Sequence, residues 1–152
     1  MILVSACLIG IDCKYTGDNN RNEDVVEYLK DKEYVVVCPE QLGGLSTPRM
    51  PAEIVKGRNK LNKKVVTCKG DDVTENFIRG AYQTLKIAKN FGCTMAIFAE
   101  RSPSCGVHEV YDGSFSSTKL PGIGVTTALL RESNIKVISD NDIYKLEDLK
   151  KV

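Results

Sequence analysis

The 152-residue chain reads as a single three-layer α/β domain over residues 1–152, Rossmann-like, with a mostly parallel sheet. Three observations predict it. Short apolar runs rich in β-branched residues recur along the chain, as strands buried on both faces should. Segments with apolar residues at helical spacing lie between them. Alternation of strand and helix in turn implies parallel crossover units, with helices on both faces of one sheet. The order of the strands is not readable from such a pattern.

Residues 1–6 form the first strand, and the chain turns at Cys7. Residues 8–22 carry Gly10, Gly17 and Asp18-Asn19-Asn20, loop chemistry that also includes Cys13. Asn22 caps a helix whose stripe is Val25, Val26 and Leu29, running through Asp31. Residues 33–37 form the second strand, which Pro39 stops. The stretch 38–53 holds three prolines and two glycines; ordered loops of that length in compact domains are usually functional. Within it, residues 52–55 predict a helical turn, with Arg49 and Glu53 pairing to hold the loop. Residues 56–64 form a basic, polar excursion, 63–68 a short strand or hairpin arm, and Gly70-Asp71-Asp72 a turn.

Thr74 caps a helix that keeps Phe77, Ile78, Ala81, Leu85 and Ala88 on one spacing as far as Asn90, and Gly92 ends it. Residues 94–99 form the third main strand, followed by the loop 102–106 and a short extended piece at 107–111. Asp112-Gly113-Ser114 is a turn. A Gly-rich approach at 120–127 leads into a helix over 126–133, and a final strand follows at 135–138. Residues 141–150 complete the chain as a short helix with Leu146 and Leu149 inward.

A formal charge of +1 with mixed signs gives no global basic field of the kind that marks nucleic-acid or membrane-surface binding. No apolar run approaches the roughly 20 residues of a membrane span, and no charged leader precedes the first strand. These features predict a cytoplasmic protein. In that compartment six cysteines are reduced thiols rather than a disulfide framework. No C-x-x-C pair occurs, which weakens thioredoxin-like and zinc-knuckle readings.

Three of the apolar runs lead to a cysteine: Ile2-Leu3-Val4-Ser5-Ala6 to Cys7, Tyr34-Val35-Val36-Val37 to Cys38, and 95–99 to the loop Ser102-Pro103-Ser104-Cys105-Gly106. In an open parallel sheet the carboxyl ends share an edge, and that edge is where such sheets place their sites. Cys7, Cys38 and Cys105 are therefore expected to form one three-thiolate constellation. Cys13 is a possible fourth member, while Cys68 and Cys93 read as structural. Three thiolates without histidine suit soft metals or an iron-sulfur cluster, and a cluster on three cysteines leaves one iron open. His108, the one histidine, lies near Cys105 in sequence and is a candidate ligand or a hydrogen-bonded surface residue. Glu40 and Ser102 would stand beside the site, with Glu40 as a candidate general base. Residues 122–127 offer a weak phosphate cradle, without a P-loop lysine, or simply a tight turn before a helix.

The ordered set Ser5-Ala6-Cys7-Leu8-Ile9-Gly10 with Cys13 and Tyr15, Cys38-Pro39-Glu40 with Gly43-Gly44 and Pro48-Arg49, Gly70-Asp71-Asp72-Val73-Thr74, Ser102-Pro103-Ser104-Cys105-Gly106 and Tyr111-Asp112-Gly113 resembles the thiouracil desulfidase family over nearly the full chain. The resemblance implies an α/β domain holding an oxygen-sensitive 4Fe-4S cluster on Cys7, Cys38 and Cys105. It further implies removal of sulfur from thiolated uracil derivatives, with Glu40 and Ser102 at the catalytic positions. Longer members with an added domain act on thiolated tRNA; this chain lacks that domain, which points to a small-molecule substrate, a free base or nucleotide. Two other readings of the same thiols stand beside this one. The first is a structural zinc in a nucleotide- or partner-binding module, with Cys13 as fourth ligand. The second is a thiol redox protein with a reversible Cys7–Cys13 pair.

Overall fold

The structure, a computed structural model, describes residues 1–56 and 63–148. Four parallel strands form the central sheet: β1 (Ile2–Ser5), β2 (Tyr34–Val37), β5 (Met95–Phe98) and β8 (Lys136–Ser139), in the order β2-β1-β5-β8. Between them come β3 (Ala52–Lys56), β4 (Lys63–Thr67), β6 (Glu109–Tyr111) and β7 (Lys119–Pro121), which make two antiparallel hairpins, β3-β4 and β6-β7. The helices are α1 (Glu23–Leu29), α2 (Pro39–Leu42), α3 (Thr74–Asn90), α4 (Val125–Glu132) and α5 (Ile143–Asp148).

The period-2 alternation of the strands divides their side chains between two cores. Leu3, Val37, Ala96, Phe98 and Val137 face Leu85 and Ala88 of α3 and Leu130 of α4. Val4 and Ile97 face Val25 and Leu29 of α1 and Ile143 of α5. This is the three-layer α/β architecture with a parallel sheet that the alternation of strand and helix implies. Asn22 caps α1, its side chain accepting from Asp24 N and Val25 N. Around α3 the cap is Val73 instead of Thr74; Thr74 Oγ1 is occupied by Asp72 Oδ1 at 2.6 Å.

Two local expectations are corrected. Residues 52–55 are not a helical turn but most of β3, registered against β4 with Ile54 opposite Val65 and Glu53 opposite Val66. The cross-strand partners decide a run too short to show a period of its own. Inside the stretch 38–53, α2 forms a single helical turn with Pro39 at its first position, where a missing N–H costs nothing. Most of the basic excursion at 56–64, and Leu149 of the terminal helix, lie outside the described residues.

Candidate active site

The strand order makes neighbours of the strand ends that lead to thiols. Ser5 is level with Val37, and Val4 is level with Ile97, so the chain leaves β2, β1 and β5 at one edge. Cys7 sits in the 3-10 turn Ala6–Ile9, Cys38 caps α2, and Cys105 ends the tight loop after β5. The chain reverses its direction of winding between β1 and β5, and open sheets bind ligands at such a switch point. A cavity of about 970 Å³ opens there, lined by Cys7, Cys13, Cys38, Cys105, Glu40 and Ser102 among others.

The loop carrying Cys105 is held by the start of α4. The amides of Gly124, Val125 and Thr126 donate to the carbonyls of Gly106, Pro103 and Ser104, each at 2.9 Å. Thr127 Oγ1 donates to Cys105 O at 3.0 Å. Contact is so close that a Cβ on Gly124 would meet Ser104 O at 2.4 Å. These bonds remove the phosphate-cradle reading of residues 122–127, because the helix-terminal donors are spent on the protein's own loop. Ser102 Oγ adds a second clamp, accepting from the amides of Ser104 and Cys105 at 3.1 Å each.

Cys13 lies beside both Cys7 and Cys38, and with its burial these two neighbours push its own thiol far up. The Cys13 thiol in turn holds Cys7 below the ordinary thiol value, against the cost of burial, and brings Cys38 down to about 6. Asn20 Nδ2 also donates to Cys7 Sγ at 3.6 Å. Cys105 is different: burial pushes it up, although Ser104 Oγ lies 3.5 Å from its sulfur.

Glu40 stands in the first turn of α2, between two partners. Arg49 Nε lies 3.4 Å from Glu40 Oε1, with the side chains only 7% and 16% exposed. Ser104 Oγ donates to Glu40 Oε2 at 3.3 Å and stands 2.8 Å from Ser102 Oγ. Arg49 also reaches Cys13 O at 3.0 Å and Thr47 Oγ1 at 2.9 Å. The expected Arg49–Glu53 pair is therefore replaced by Arg49–Glu40. Glu53, on a strand rather than a helical turn, accepts instead from Gly113 N and Phe115 N.

The structure thus brings Cys7, Cys13, Cys38, Cys105, Glu40 and Ser102 to one cavity, and it places His108 elsewhere. His108 is 58% exposed at the side chain and is bonded to Asp142 at 2.5 Å. Cys93 is a core residue. Cys68, read as structural, is exposed and lines the same cavity, with its amide donating to Pro51 O at 3.0 Å. Sequence reasoning passed over Ser104, Asn20 and Arg49 as site residues. The second serine of Ser-Pro-Ser-Cys was the one available signal for Ser104. All six cysteines are free. Among the described residues no three His, Cys, Asp or Glu side chains converge as a single-ion site requires.

Comparison with known proteins gives a family match, a curated relative and a similar solved structure. The family described as 2-thiouracil desulfurase matches residues 2–142. YbbK of Bacillus subtilis (strain 168), named an uncharacterized protein, is 47% identical over 147 residues, covering 94% of this chain and 97% of its own. The solved structure of the 4Fe-4S-dependent thiouracil desulfidase TudS is similar with a TM-score of 0.86 and 38% identity, over 99% of this chain and 98% of that one. The chain belongs to the 2-thiouracil desulfurase family.

Proposed function

We propose that this chain is a thiouracil desulfidase, converting a thiolated uracil and water to uracil and hydrosulfide, with a 4Fe-4S cluster held by Cys7, Cys38 and Cys105. The observation that carries the reading is that these three thiols, Glu40 and Ser102 line one cavity at the carboxyl edge of the sheet. The donor set suits the cluster: it is all sulfur, and it is supported by the hydrogen bond from Asn20 to Cys7, an outer-shell contact of the kind that tunes such centres. When bound, a cluster on three cysteines supplies a soft Lewis-acidic iron for the thiocarbonyl sulfur.

The chain's own residues supply the proton path. Ser104 has one hydroxyl proton, and in donating it to Glu40 Oε2 it must accept from Ser102 Oγ. Ser102 in turn takes two backbone amides, so its hydroxyl proton is directed towards Ser104. Arg49 fixes the other oxygen of Glu40. Glu40 thus serves as general base for the water that attacks the carbon bearing sulfur, and Ser102, its hydroxyl committed to two amides and Ser104, orients the serine that holds Glu40 Oε2. The proposal extends to a single domain over residues 1–152 acting in the cytoplasm on a free base or nucleotide. No described helix is long and apolar enough to cross a membrane.

One placement favours a second reading: Cys13 stands beside Cys7 and Cys38 and lines the same cavity, where the fourth ligand of a closed zinc site would be. The deciding measurement is the iron, sulfide and zinc content and visible absorption of protein purified without air, followed by assay on 4-thiouracil. About four irons and four sulfides per chain, lost together with turnover in Cys105→Ala, is the expected result. A colourless zinc protein that takes up no cluster on anaerobic reconstitution would overturn the desulfidase reading.

A further inference from the structure

The loop between β6 and β7 carries a feature that the thiols and Glu40 leave unexplained. Phe115 sits there with φ 56°, in the left-handed region where glycine and asparagine are the ordinary choices. Phe115 is 37% exposed, and it lines the same cavity as the thiols. A residue placed at a cost in backbone conformation and a cost in exposed apolar surface is retained for its ring, not for its fit to the turn.

The loop is built to hold that ring in place. Glu53, buried on β3, accepts from Gly113 N at 3.0 Å and Phe115 N at 3.2 Å. Gly113, at φ 91°, lies against β3 so closely that a Cβ would meet Ile54 O at 2.8 Å. Asp112 closes the loop across Thr118 O at 2.9 Å and takes Ser114 N at 2.9 Å. A buried carboxylate is thus committed to two loop amides, one of them that of Phe115 itself.

The aromatic side chains lining the cavity are Tyr15, Tyr111 and Phe115. Tyr15 has Lys14 Nζ 5.8 Å from its ring centroid, and both tyrosines carry a hydroxyl. Phe115 offers only a ring face. An apolar ring lining a cavity of mixed polarity suits a flat heteroaromatic ligand, to which it can give stacking energy without regard to ring substituents.

We propose that Phe115 is the platform on which the pyrimidine ring of the substrate stacks, and that Glu53 is the positioning residue that holds it there. This rests on the desulfidase reading and deepens it. The ring fixes the plane of the base, while discrimination between sulfur and oxygen is left to the thiol-lined end of the cavity.

The test uses the cluster-loaded enzyme and thiouracil. Phe115→Ala is expected to raise KM roughly ten-fold, from the size of base–aromatic stacking, with kcat changed by less than about two-fold; Phe115→Tyr is expected to restore KM. Glu53→Ala should raise KM in the parent protein and add little in the Phe115→Ala background, since it acts through that ring. The chain has no tryptophan, so Phe115→Trp provides a single emitter whose fluorescence thiouracil should quench saturably. Tyr82→Trp, on an exposed position of α3 outside the cavity, should show no saturable quenching. Turnover of thiouracil with an unchanged KM in Phe115→Ala, and no saturable quenching in Phe115→Trp, overturns the stacking role alone. A cluster-loaded parent protein that neither turns over nor binds thiouracil removes both readings.

Discussion

Ser104 Oγ donates to Glu40 Oε2 at 3.3 Å, and this contact ties the loop after β5 to the helix after β2 across the mouth of the thiol cavity. Neither serine nor glutamate is near the other in sequence; the adjacency of β2, β1 and β5 brings them together. Ser104 is buried, so its hydroxyl has few alternatives to Glu40, Ser102 and the Cys105 sulfur. The first prediction follows from that bridge. Ser104→Ala should keep its iron and sulfide and lose about a hundred-fold in kcat, the low end of the range for a disrupted general-base path. Glu40→Gln should also keep the cluster and lose more. Iron analysis beside steady-state kinetics separates the two effects, and a Glu40→Gln enzyme with full turnover would remove the proposed base.

The position of Glu40 depends in turn on two glycines where α2 meets α3. A Cβ on Gly80 would lie 1.9 Å from Pro39 O, and one on Gly43 would lie 2.0 Å from Asn76 O. In a free helix interior Gly→Ala stabilises by about 1 kcal/mol. Here the sign should reverse: Gly80→Ala is expected to destabilise by about 2 kcal/mol, as an overpacked contact does, and to push Cys38 and Glu40 away from the cavity. Denaturant midpoints read the stability, and a lowered iron content in the same protein reads the displacement. A more stable Gly80→Ala protein with full iron would show that α2 yields without consequence.

Glu100 gives a pH-dependent prediction. Burial pushes its carboxyl up, but the amide of His108, the Ser139 hydroxyl and the amides of Glu109 and Val107 outweigh that and hold it below its ordinary value; Oε1 accepts the three amides of His108, Glu109 and Val107, at 2.8, 3.1 and 2.7 Å. A lowered folded value means a contribution fully present above the unfolded value of about 4.3 and lost as pH falls through the folded one. Glu100→Gln should cost about 2 kcal/mol at pH 6, the size of hydrogen bonds to a charged group, and the gap should close as pH drops below about 4. Asp140, which burial and the Glu100 charge push up and whose Oδ1 accepts Glu100 N at 3.1 Å, titrates differently once that charge is gone, so the gap reports Glu100 together with its effect on Asp140. Urea titrations of both proteins without cluster, from pH 6 to 3, check it; a gap that stays constant would rule out the carboxylate as its source.

Much of this arrangement was legible in the sequence because it is a consequence of topology. Apolar runs leading to Cys7, Cys38 and Cys105 needed only a shared parallel sheet to converge. What stayed hidden depended on distances between segments. Arg49 and Glu53 are four apart and pair naturally on a helix, but β3 follows a strand geometry and sends Glu53 to the 112–118 loop. Cys68 lies beyond the Gly/Pro loops in sequence, and only the hairpin partner of β3 carries it to Pro51 and the cavity. Ser102 and Ser104 flank the same proline, and only the contact with Glu40 distinguishes their parts.

The last prediction concerns Cys13, where the cluster and zinc readings diverge. Cys13 comes from the loop beyond Cys7 rather than directly from a strand end; its amide is tied to Ile11 O at 2.8 Å and its carbonyl to Arg49 Nη2 at 3.0 Å. Its thiol stands beside Cys7 and Cys38 and lowers both, which makes it a supporting neighbour of two ligand sulfurs in the three-cysteine reading. Cys13→Ala should therefore retain about four irons per chain with weakened retention on standing, since outer-shell partners typically contribute ten- to a hundred-fold in metal affinity. Cys7→Ala, Cys38→Ala and Cys105→Ala should each lose the cluster outright. A zinc site closed by four sulfurs predicts a different pattern, in which Cys13→Ala loses metal as completely as the other three. Metal analysis of the four variants purified side by side without air distinguishes the patterns, and equal loss in all four would place Cys13 among the ligands.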